Sequence, residues 1–305
     1  MSAVQLGQYA PADMILVHLS DTHFLSAGQA LYGVVDTDHT VNRALEQLHR
    51  SGIAPDALIL TGDIADRGET DAYLRVREIV VRAAARWNAA VIWVMGNHDK
   101  REPFRTVLLG EHGSPRRDGP VDRVHDVNGL RIIALDTSVP GYHHGEVTAD
   151  QLLWLTDVLR QPARRGSILA LHHPPIPTPL PLMSVLELQE QSALAAVLTG
   201  SDVRAILGGH LHYSSQGLFA GIPVSVAAAT CYTMDLGAPN QELTGIDGGQ
   251  TLNLVHVYAD QITHSQLPIG AFAAVTQFPA QYVDELSRLS PTDRLQAFSR
   301  HFGEE

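Results

Sequence analysis

An apolar run that ends in metal-binding side chains occupies residues 90–99, which read Ala90-Val91-Ile92-Trp93-Val94-Met95-Gly96-Asn97-His98-Asp99. A short, continuous apolar run bounded by a turn signal predicts a buried β-strand. The glycine after it lets the backbone turn sharply, because glycine has no Cβ. The segment therefore predicts a strand whose carboxyl end delivers Asn97 and His98 to one place.

Four other segments repeat this arrangement. Apolar runs at 14–19, 57–60, 167–171 and 203–207 precede the motifs Ser20-Asp21-Thr22-His23, Thr61-Gly62-Asp63, His172-His173-Pro174 and Gly209-His210-Leu211-His212. Helical periodicity is found between or after them, over about 40–50, 70–86, 148–159 and 187–198. Near-continuous apolar strands are typical of an α/β core, where ligands bind beyond the carboxyl ends of the strands. The five motifs therefore predict one shared site.

The side chains of these motifs form the ligand set of a two-metal hydrolytic centre. Asp21 and His23 are two residues apart, so in an extended chain both can point toward one metal. The same spacing separates His210 from His212. Nitrogen and oxygen donors without a thiolate favour Fe, Mn, Co or Zn. The predicted metal ligands are Asp21, His23, Asp63, Asn97, His172, His210 and His212.

Two residues are predicted to act in the chemistry itself. The two oxygens of Asp63 suit a carboxylate that bridges two cations, and a water between the cations would become a nucleophile near neutral pH. His98 stands beside a ligand without being one, so it can donate a proton to a leaving oxygen or steady a phosphoryl group. Asp99 is predicted to orient the His98 ring.

Composition restricts the remaining classes of function. A formal net charge of −12, with 21 Lys and Arg among 305 residues, argues against binding a nucleic acid polymer. Cys231 is the only cysteine, which fits a reducing compartment and excludes a thiolate zinc site. Neither a secretory signal nor an apolar run of membrane-spanning length is visible. We therefore expect a soluble, cytoplasmic protein, with peripheral association with a membrane left open.

The ordered motifs resemble those of the calcineurin-like metallophosphoesterase superfamily, namely Asp-x-His, Gly-Asp-x-x-Asp, Gly-Asn-His-Asp, His and Gly-His-x-His. Several stretches also resemble the class III cyclic-nucleotide phosphodiesterases of actinobacteria. These stretches are Leu31-Tyr32-Gly33-Val34-Val35-Asp36, Trp93–Asp99, Leu135–Gly141, His172–Pro177 and Thr230-Cys231-Tyr232-Thr233. The resemblance implies a four-layer αββα sandwich with two mixed β-sheets and a bimetal site at one edge.

The resemblance also implies how the ligands divide between two metals. Asp21, His23, Asp63 and His212 would hold one metal, and Asp63, Asn97, His172 and His210 the other. Members of the superfamily commonly use Fe(III) with Mn(II), or two Mn(II), and Zn(II) or Co(II) would also suit the donors. The implied reaction is hydrolysis of a cyclic nucleotide, with 3′,5′-cAMP to 5′-AMP the foremost candidate. Close relatives form dimers, so a homodimer is expected.

The predicted domain covers residues 14–269, after an N-terminal extension at 1–13 and before a C-terminal helical tail at 270–305. Six residues are predicted to contact substrate: Asn97, His98, His143, His212, Asp66 and Arg67. For His143 an exposed polar loop is an equal alternative, and for Asp66 a turn cap is.

Other functions also remain open. The string Gly62–Gly68 resembles the motif in which Ser/Thr protein phosphatases place an Arg on phosphate, and an Arg fork suits phosphate. A broad-specificity metallophosphoesterase, acting on 2′,3′-cyclic nucleotides, other diesters or monoesters, is the first alternative. A non-catalytic metal-binding scaffold is the second.

Overall fold

The computed structural model describes residues 5–113 and 118–300. Within them the strands are β1 (Met14–Leu19), β2 (Ala57–Thr61), β3 (Ala90–Val94), β4 (Arg123–Val127), β5 (Leu130–Leu135), β6 (Ser167–Leu171), β7 (Val203–Gly208), β8 (Ser215–Phe219), β9 (Ile222–Val226), β10 (Thr233–Met234), β11 (Gly245–Ile246), β12 (Thr251–Val257) and β13 (Ile262–Pro268). The α-helices are α1 (Thr37–Arg50), α2 (Thr70–Ala85), α3 (Arg101–Pro103), α4 (Ala149–Leu159), α5 (Gln191–Leu198), α6 (Gln281–Ser287) and α7 (Pro291–Arg294). Short 3₁₀ turns lie at Ser26–Gly28, Met183–Leu186 and Pro239–Gln241, and π turns at Phe104–Leu108 and Leu295–Ser299.

The two large sheets are both mixed. The first has the order β13-β12-β1-β2-β3, with β1, β2 and β3 parallel and β12 antiparallel to β1. The second has the order β4-β5-β6-β7-β9-β8, in which β5, β6, β7 and β9 are parallel and the edge strands antiparallel. In each sheet the parallel strands are neighbours, so their carboxyl ends lie at the same end of that sheet.

Three apolar layers show that the sheets stack face to face between helices. Leu16 and Ile59 of the first sheet pack with Ile168 and Leu207 of the second. The opposite face of the first sheet packs against α1 and α2, and that of the second against α4 and α5. This arrangement confirms the predicted four-layer αββα sandwich with two mixed sheets.

Two helix starts differ from the prediction by several residues. Helix α1 begins at Thr37 rather than near residue 40. The helix predicted at 187–198 begins only at Gln191. Glu190, just before it, has a left-handed backbone with φ of 50°, which cannot continue a right-handed helix. The predicted residues 187–190 are therefore outside α5, and Met183–Leu186 forms its own 3₁₀ turn.

The residues described before Met14 and after Gly270 form a unit separate from Met14–Gly270. Within that small unit, the Arg294 guanidinium donates to the carbonyls of Leu6, Leu286 and Ser287. The rings of Phe278, Tyr282 and Phe298 contact one another in edge-on or tilted geometry. Helices that combine enough length and apolarity to cross a lipid bilayer do not occur in the described part of the chain.

His18, near the carboxyl end of β1, is fully buried. Its Nε2 lies 2.8 Å from the hydroxyl of Thr61. Burial, and then the neighbouring His264, lowers the pKa of His18 from 6.5 to about 3. The folded protein therefore keeps this ring neutral at pH values where the unfolded chain would protonate it.

We expect acid to destabilise the protein partly through His18. A depressed histidine pKa contributes stability that is present above pH 6.5 and is lost as the pH falls toward 3, with a slope of about 1.4 kcal/mol per pH unit. Urea unfolding of His18→Gln between pH 6 and pH 4 should show a shallower loss of the free energy of unfolding, by about that slope. His39→Gln, at an exposed histidine of α1, is the control. A variant slope equal to that of the unaltered protein would contradict the assignment.

Candidate metal centre

The motif residues follow strands whose carboxyl ends meet between the two sheets. Asp21 and Asp63 lie just beyond β1 and β2, and His172 and His210 just beyond β6 and β7. The loops after β1 and β2 are joined by backbone hydrogen bonds, from the Asp21 N–H to the Gly62 carbonyl at 3.1 Å and from the His23 N–H to the Asp63 carbonyl at 2.9 Å. The loops thus hold the side chains in place before any ligand binds.

Five of the seven predicted ligands have left-handed backbones. The φ angles are 53° at Asp21, 45° at His23, 49° at Asp63, 68° at His210 and 56° at His212. Positive φ is uncommon for residues other than glycine, and such strained positions cluster at functional sites. The loops therefore adopt costly conformations where donor atoms converge.

Asp63 lies at the centre of the cluster. Its Oδ2 is 3.5 Å from His23 Nε2 on one side and 3.3 Å from His172 Nε2 on the other. His172 Nε2 is in turn 3.1 Å from Asn97 Oδ1. One carboxylate oxygen thus faces two separate sets of donors, as a bridging ligand must.

A second set of donors surrounds Asp21. His212 Nε2 lies 3.4 Å from Asp21 Oδ1 and 3.2 Å from His23 Nε2. Donor atoms of Asp21, His23 and Asp63 all lie within 4.8 Å of one another. Two donors that bind one ion at about 2.1 Å and about a right angle are separated by about 3 Å, close to these distances.

The hydrogen bonds of the outer ring nitrogens also fit metal ligands. Nδ1 of His172 lies 2.7 Å from the Thr61 carbonyl, and Nδ1 of His23 lies 3.0 Å from an Asp66 carboxylate oxygen. Nδ1 of His212 is 3.2 Å from the Tyr232 carbonyl. A metal-binding histidine donates its other N–H to such oxygens. This fixes the tautomer and leaves the lone pair of Nε2 available to a metal.

His210 joins the cluster in a different way. Its Nε2 is 3.1 Å from the Leu186 carbonyl, so Nδ1 is the ring atom left for a metal. Its ring centroid lies 5.1 Å from that of His172. Its backbone N–H also donates to both carboxylate oxygens of Asp21, at 3.2 and 3.1 Å.

The electrostatics of the cluster favour positive charge. Burial opposes protonation of His172, yet the Asp63 carboxylate and other partners raise the pKa of His172 to about 9. Burial alone would raise the pKa of Asp21, but His212 beside it holds that pKa at about 2. Buried carboxylates that stay ionised beside facing ring nitrogens fit a pair of cations, and the donor set suits such a pair.

Asp99 does not orient His98 as predicted. Its carboxylate instead accepts hydrogen bonds from the backbone N–H groups of Gly96, Ile64 and Ala65 and from the Tyr73 hydroxyl. These bonds tie the loop after β3 to the loop after β2. The prediction was wrong because residues adjacent in sequence diverge on this tight turn.

His98 is held by the neighbouring loop. Its backbone N–H donates to Asp63 Oδ1 at 2.8 Å, and its Nδ1 is 2.9 Å from the Asp66 carbonyl. The side chain is partly exposed, and its Nε2 is free of these two bonds. Asp66 contacts His23 through its carboxylate, so its predicted role in binding substrate stays a prediction.

Two other predicted substrate contacts lie at the rim. His143 Nδ1 is 2.9 Å from Asn97 Nδ2, and its ring centroid lies 5.1 Å from that of His98. His173 supports this loop, because its Nε2 contacts the His143 carbonyl at 3.1 Å. The Arg67 side chain is two-thirds exposed, and its ion pair with Asp66 spans 3.8 Å.

The geometry has a counterpart in a known family. The family model described as calcineurin-like phosphoesterase matches residues 14–214. The chain belongs to the calcineurin-like phosphoesterases. The predicted family is thereby confirmed, and with it the expectation of a dinuclear metal centre built from Asp and His side chains.

Curated relatives lie within this phosphoesterase family. The cAMP/cGMP dual specificity phosphodiesterase of Mycobacterium tuberculosis is 51% identical over 278 residues, which covers 91% of this chain and 86% of the relative. A probable cyclic nucleotide phosphodiesterase of Rhodococcus erythropolis is 51% identical, with 94% of each chain covered. The 3′,5′-cyclic adenosine monophosphate phosphodiesterase of Pseudomonas aeruginosa is 30% identical, over 75% of this chain and 84% of its own.

Solved structures agree on the fold. A dimetal phosphatase from Danio rerio superimposes with a TM-score of 0.60 at 14% identity, covering 85% of this chain and 97% of its own. A purple acid phosphatase from yellow lupin gives a TM-score of 0.57 at 12% identity, covering 84% of this chain and 51% of its own. At these identities the likeness concerns the fold alone.

Sequence reasoning missed a polar network beneath this phosphoesterase site. The Thr61 hydroxyl donates to Ser20 Oγ at 2.9 Å and lies 2.8 Å from His18 Nε2. The Thr61 carbonyl accepts from Ser20 Oγ and contacts His172 Nδ1. These residues stand in or just after β1 and β2, so only their pairing in the sheet reveals that they support His172.

Proposed function

We propose that this chain is a dinuclear-metal phosphodiesterase that hydrolyses cyclic nucleotides, with 3′,5′-cAMP to 5′-AMP as the foremost reaction. The observation that carries the proposal is the position of Asp63 Oδ2 between His23 Nε2 and His172 Nε2. The two relatives of 51% identity, whose names state cyclic-nucleotide phosphodiesterase activity, support the choice of substrate.

The proposed ligands divide into two sets that share Asp63. Asp21, His23, Asp63 and His212 would hold one ion, and Asp63, Asn97, His172 and His210 the other. When bound, such a pair supplies an activated water and offsets the negative charge of a phosphate diester. We propose Fe(III) with Mn(II), or two Mn(II), since the donors are imidazole, carboxylate and amide groups.

His98 is proposed to assist the leaving oxygen. Its Nδ1–H donates to the Asp66 carbonyl, which fixes the ring and leaves Nε2 as the atom that faces the substrate. A protonated Nε2 can give its proton to the alkoxide as the phosphorus–oxygen bond breaks. His143, 2.9 Å from Asn97 Nδ2, is proposed to contact the non-bridging phosphoryl oxygens.

We expect His98→Ala to lower kcat for cAMP by about 10²- to 10³-fold, because a positioned acid contributes about that much. The measurement pairs steady-state kinetics in Mn(II) with elemental analysis of the purified variant. His49→Ala, at an exposed histidine of α1, is the control. Loss of bound metal from His98→Ala would reassign His98 as a ligand, and unchanged kcat would remove it from the mechanism.

A broader phosphoesterase activity is the second candidate. Arg67 stands at the rim next to Asp66 with most of its side chain in solvent, where a guanidinium could grip the extra charge of a monoester. Comparing kcat/KM for nitrophenyl phosphate and for bis(nitrophenyl) phosphate discriminates directly. A preference for the monoester would favour this reading over the diesterase.

The proposed assembly and location are a homodimer in the cytoplasm. The curated relatives support cyclic nucleotide as the small-molecule partner, and the net charge of −12 disfavours a nucleic acid polymer. Sedimentation equilibrium tests the dimer. A single species of 33.1 kDa would contradict it.

A further inference from the structure

A series of aromatic rings leads from the candidate metal centre toward solvent. The Tyr232 ring centroid lies 4.5 Å from that of His212, a proposed ligand. The Tyr32 centroid lies 5.7 Å from that of Tyr232, in edge-to-face geometry. His212 is buried, Tyr232 is half-buried, and Tyr32 is 74% exposed. The series therefore runs from the candidate metal centre to the protein surface.

Tyr32 lies at the tip of a turn with a strained backbone. Tyr32 and Gly33 have φ of 51° and 76° at the tip of a tight turn closed by the pairing of Leu31 with Val35. A bulky side chain with positive φ is a genuine outlier, and such strain persists where the surroundings enforce it. A glycine or asparagine would suit this turn better, so the turn itself gives no reason for a tyrosine.

The Tyr232 ring, against which Tyr32 packs, is held firmly by its neighbours. Gly245 packs against the Tyr232 ring, since a Cβ on that glycine would lie 2.7 Å from Tyr232 Cδ2. The ring also packs against the buried cluster of Leu25, Leu31 and Val35. The aromatic edge next to His212 is thus fixed, while the outer face of Tyr32 is left to solvent.

We propose that Tyr32, held by Tyr232, is the platform on which the nucleobase of the cyclic nucleotide stacks. This inference rests on the proposed function, because a phosphate bound at the metal ligands places a base only one ribose away. Every nucleobase has a π face. An exposed tyrosine beside a phosphate site can therefore stack on a purine without requiring a particular pattern of hydrogen bonds. Tyr32 then acts on affinity for the nucleoside, apart from the cleavage of phosphorus–oxygen bonds.

A polar group of side chains lies on the His98 side of the candidate metal centre. Asn97, His98 and His143 contact one another there. Tyr142 also stands on that side, 60% exposed, with its ring against His144 rather than in a series from a proposed ligand. Tyr142 therefore offers a matched control of the same residue type and similar exposure.

The test compares two phosphates that differ only in the base. Binding of AMP and of ribose 5-phosphate to the Mn(II)-loaded protein is measured by calorimetry for the unaltered chain, Tyr32→Ala, Tyr32→Phe and Tyr142→Ala. We expect AMP to bind about tenfold more tightly than ribose 5-phosphate, since one stacked base contributes about that factor. Tyr32→Ala should abolish the difference, while Tyr32→Phe and Tyr142→Ala should keep it.

Kinetics give a second readout. For Tyr32→Ala, kcat/KM for cAMP relative to that for methyl nitrophenyl phosphate should fall about tenfold, mainly through KM. Equal affinity of the unaltered protein for AMP and ribose 5-phosphate would overturn the base platform. Loss of the difference in Tyr142→Ala instead would place the base beside Tyr142. Turnover of neither diester by the unaltered protein would refute the proposed function, which is a separate result.

Discussion

Asp63→Asn is expected to remove both metals and to lower kcat/KM for cAMP by about 10⁴-fold, or about 5 kcal/mol of transition-state stabilisation. The reason is the position of Asp63 Oδ2, which faces His23 and His172 at once. The amide of an asparagine there carries no charge. The repulsion between two cations would therefore no longer be offset by a carboxylate. Neither ligand set is complete without Asp63.

The measurement for Asp63→Asn is elemental analysis after gel filtration, followed by steady-state kinetics. Asp56→Asn is the matched control, since Asp56 stands at the other end of the same strand and accepts a hydrogen bond from the Ile15 N–H at 2.9 Å. The control should keep two metals per chain. Retention of both metals by Asp63→Asn would refute the bridging role.

Gly96→Ala is expected to lower kcat/KM about 10²-fold and the free energy of unfolding by about 1–3 kcal/mol. A Cβ on Gly96 would overlap the backbone nitrogen and Oδ1 of Asp63, and it would lie 2.9 Å from Asp63 Cγ. Backbone cannot move aside as a flexible side chain does, so the loops after β2 and β3 would separate. Asn97 and His98 would move with them.

Gly248→Ala is the control for this substitution. Nothing lies within 4 Å of a Cβ at Gly248, and neither glycine has a positive φ. Thermal unfolding and kcat/KM of the two variants should therefore diverge strongly. If Gly96→Ala behaved like Gly248→Ala, close approach of the two loops would not matter for activity.

Much of the α/β core could be predicted because buried parallel strands are continuous apolar runs. The apolar runs predicted at 14–19 and 167–171 coincide residue by residue with β1 and β6. Strand β4 was missed because Arg123–Val127 alternates between exposed and partly buried positions at a sheet edge and has no such run. The pattern of apolar residues along a strand depends on which of its faces are buried. An edge strand buried on one face alternates instead of forming a continuous apolar run.

The convergence of the candidate site could also be predicted, since all seven donors follow strand ends. The contacts of Asp99 and the series from His212 to Tyr32 could not. Both depend on how loops distant in sequence cross: Asp99 reaches Ile64, 35 residues away. Sequence spacing orders residues along one strand, whereas a hydrogen bond between loops depends on the stacking of two sheets.

The left-handed backbones at Asp21, His23, Asp63, His210 and His212 have a consequence for any attempt to engineer this protein. Each such conformation costs about 1 kcal/mol or more, and glycine would relieve it. Glycine, however, brings no donor atom. Selection for heat resistance alone would therefore erode the catalytic loops first, so a thermostable variant should be sought in the helices and the distant sheet edges.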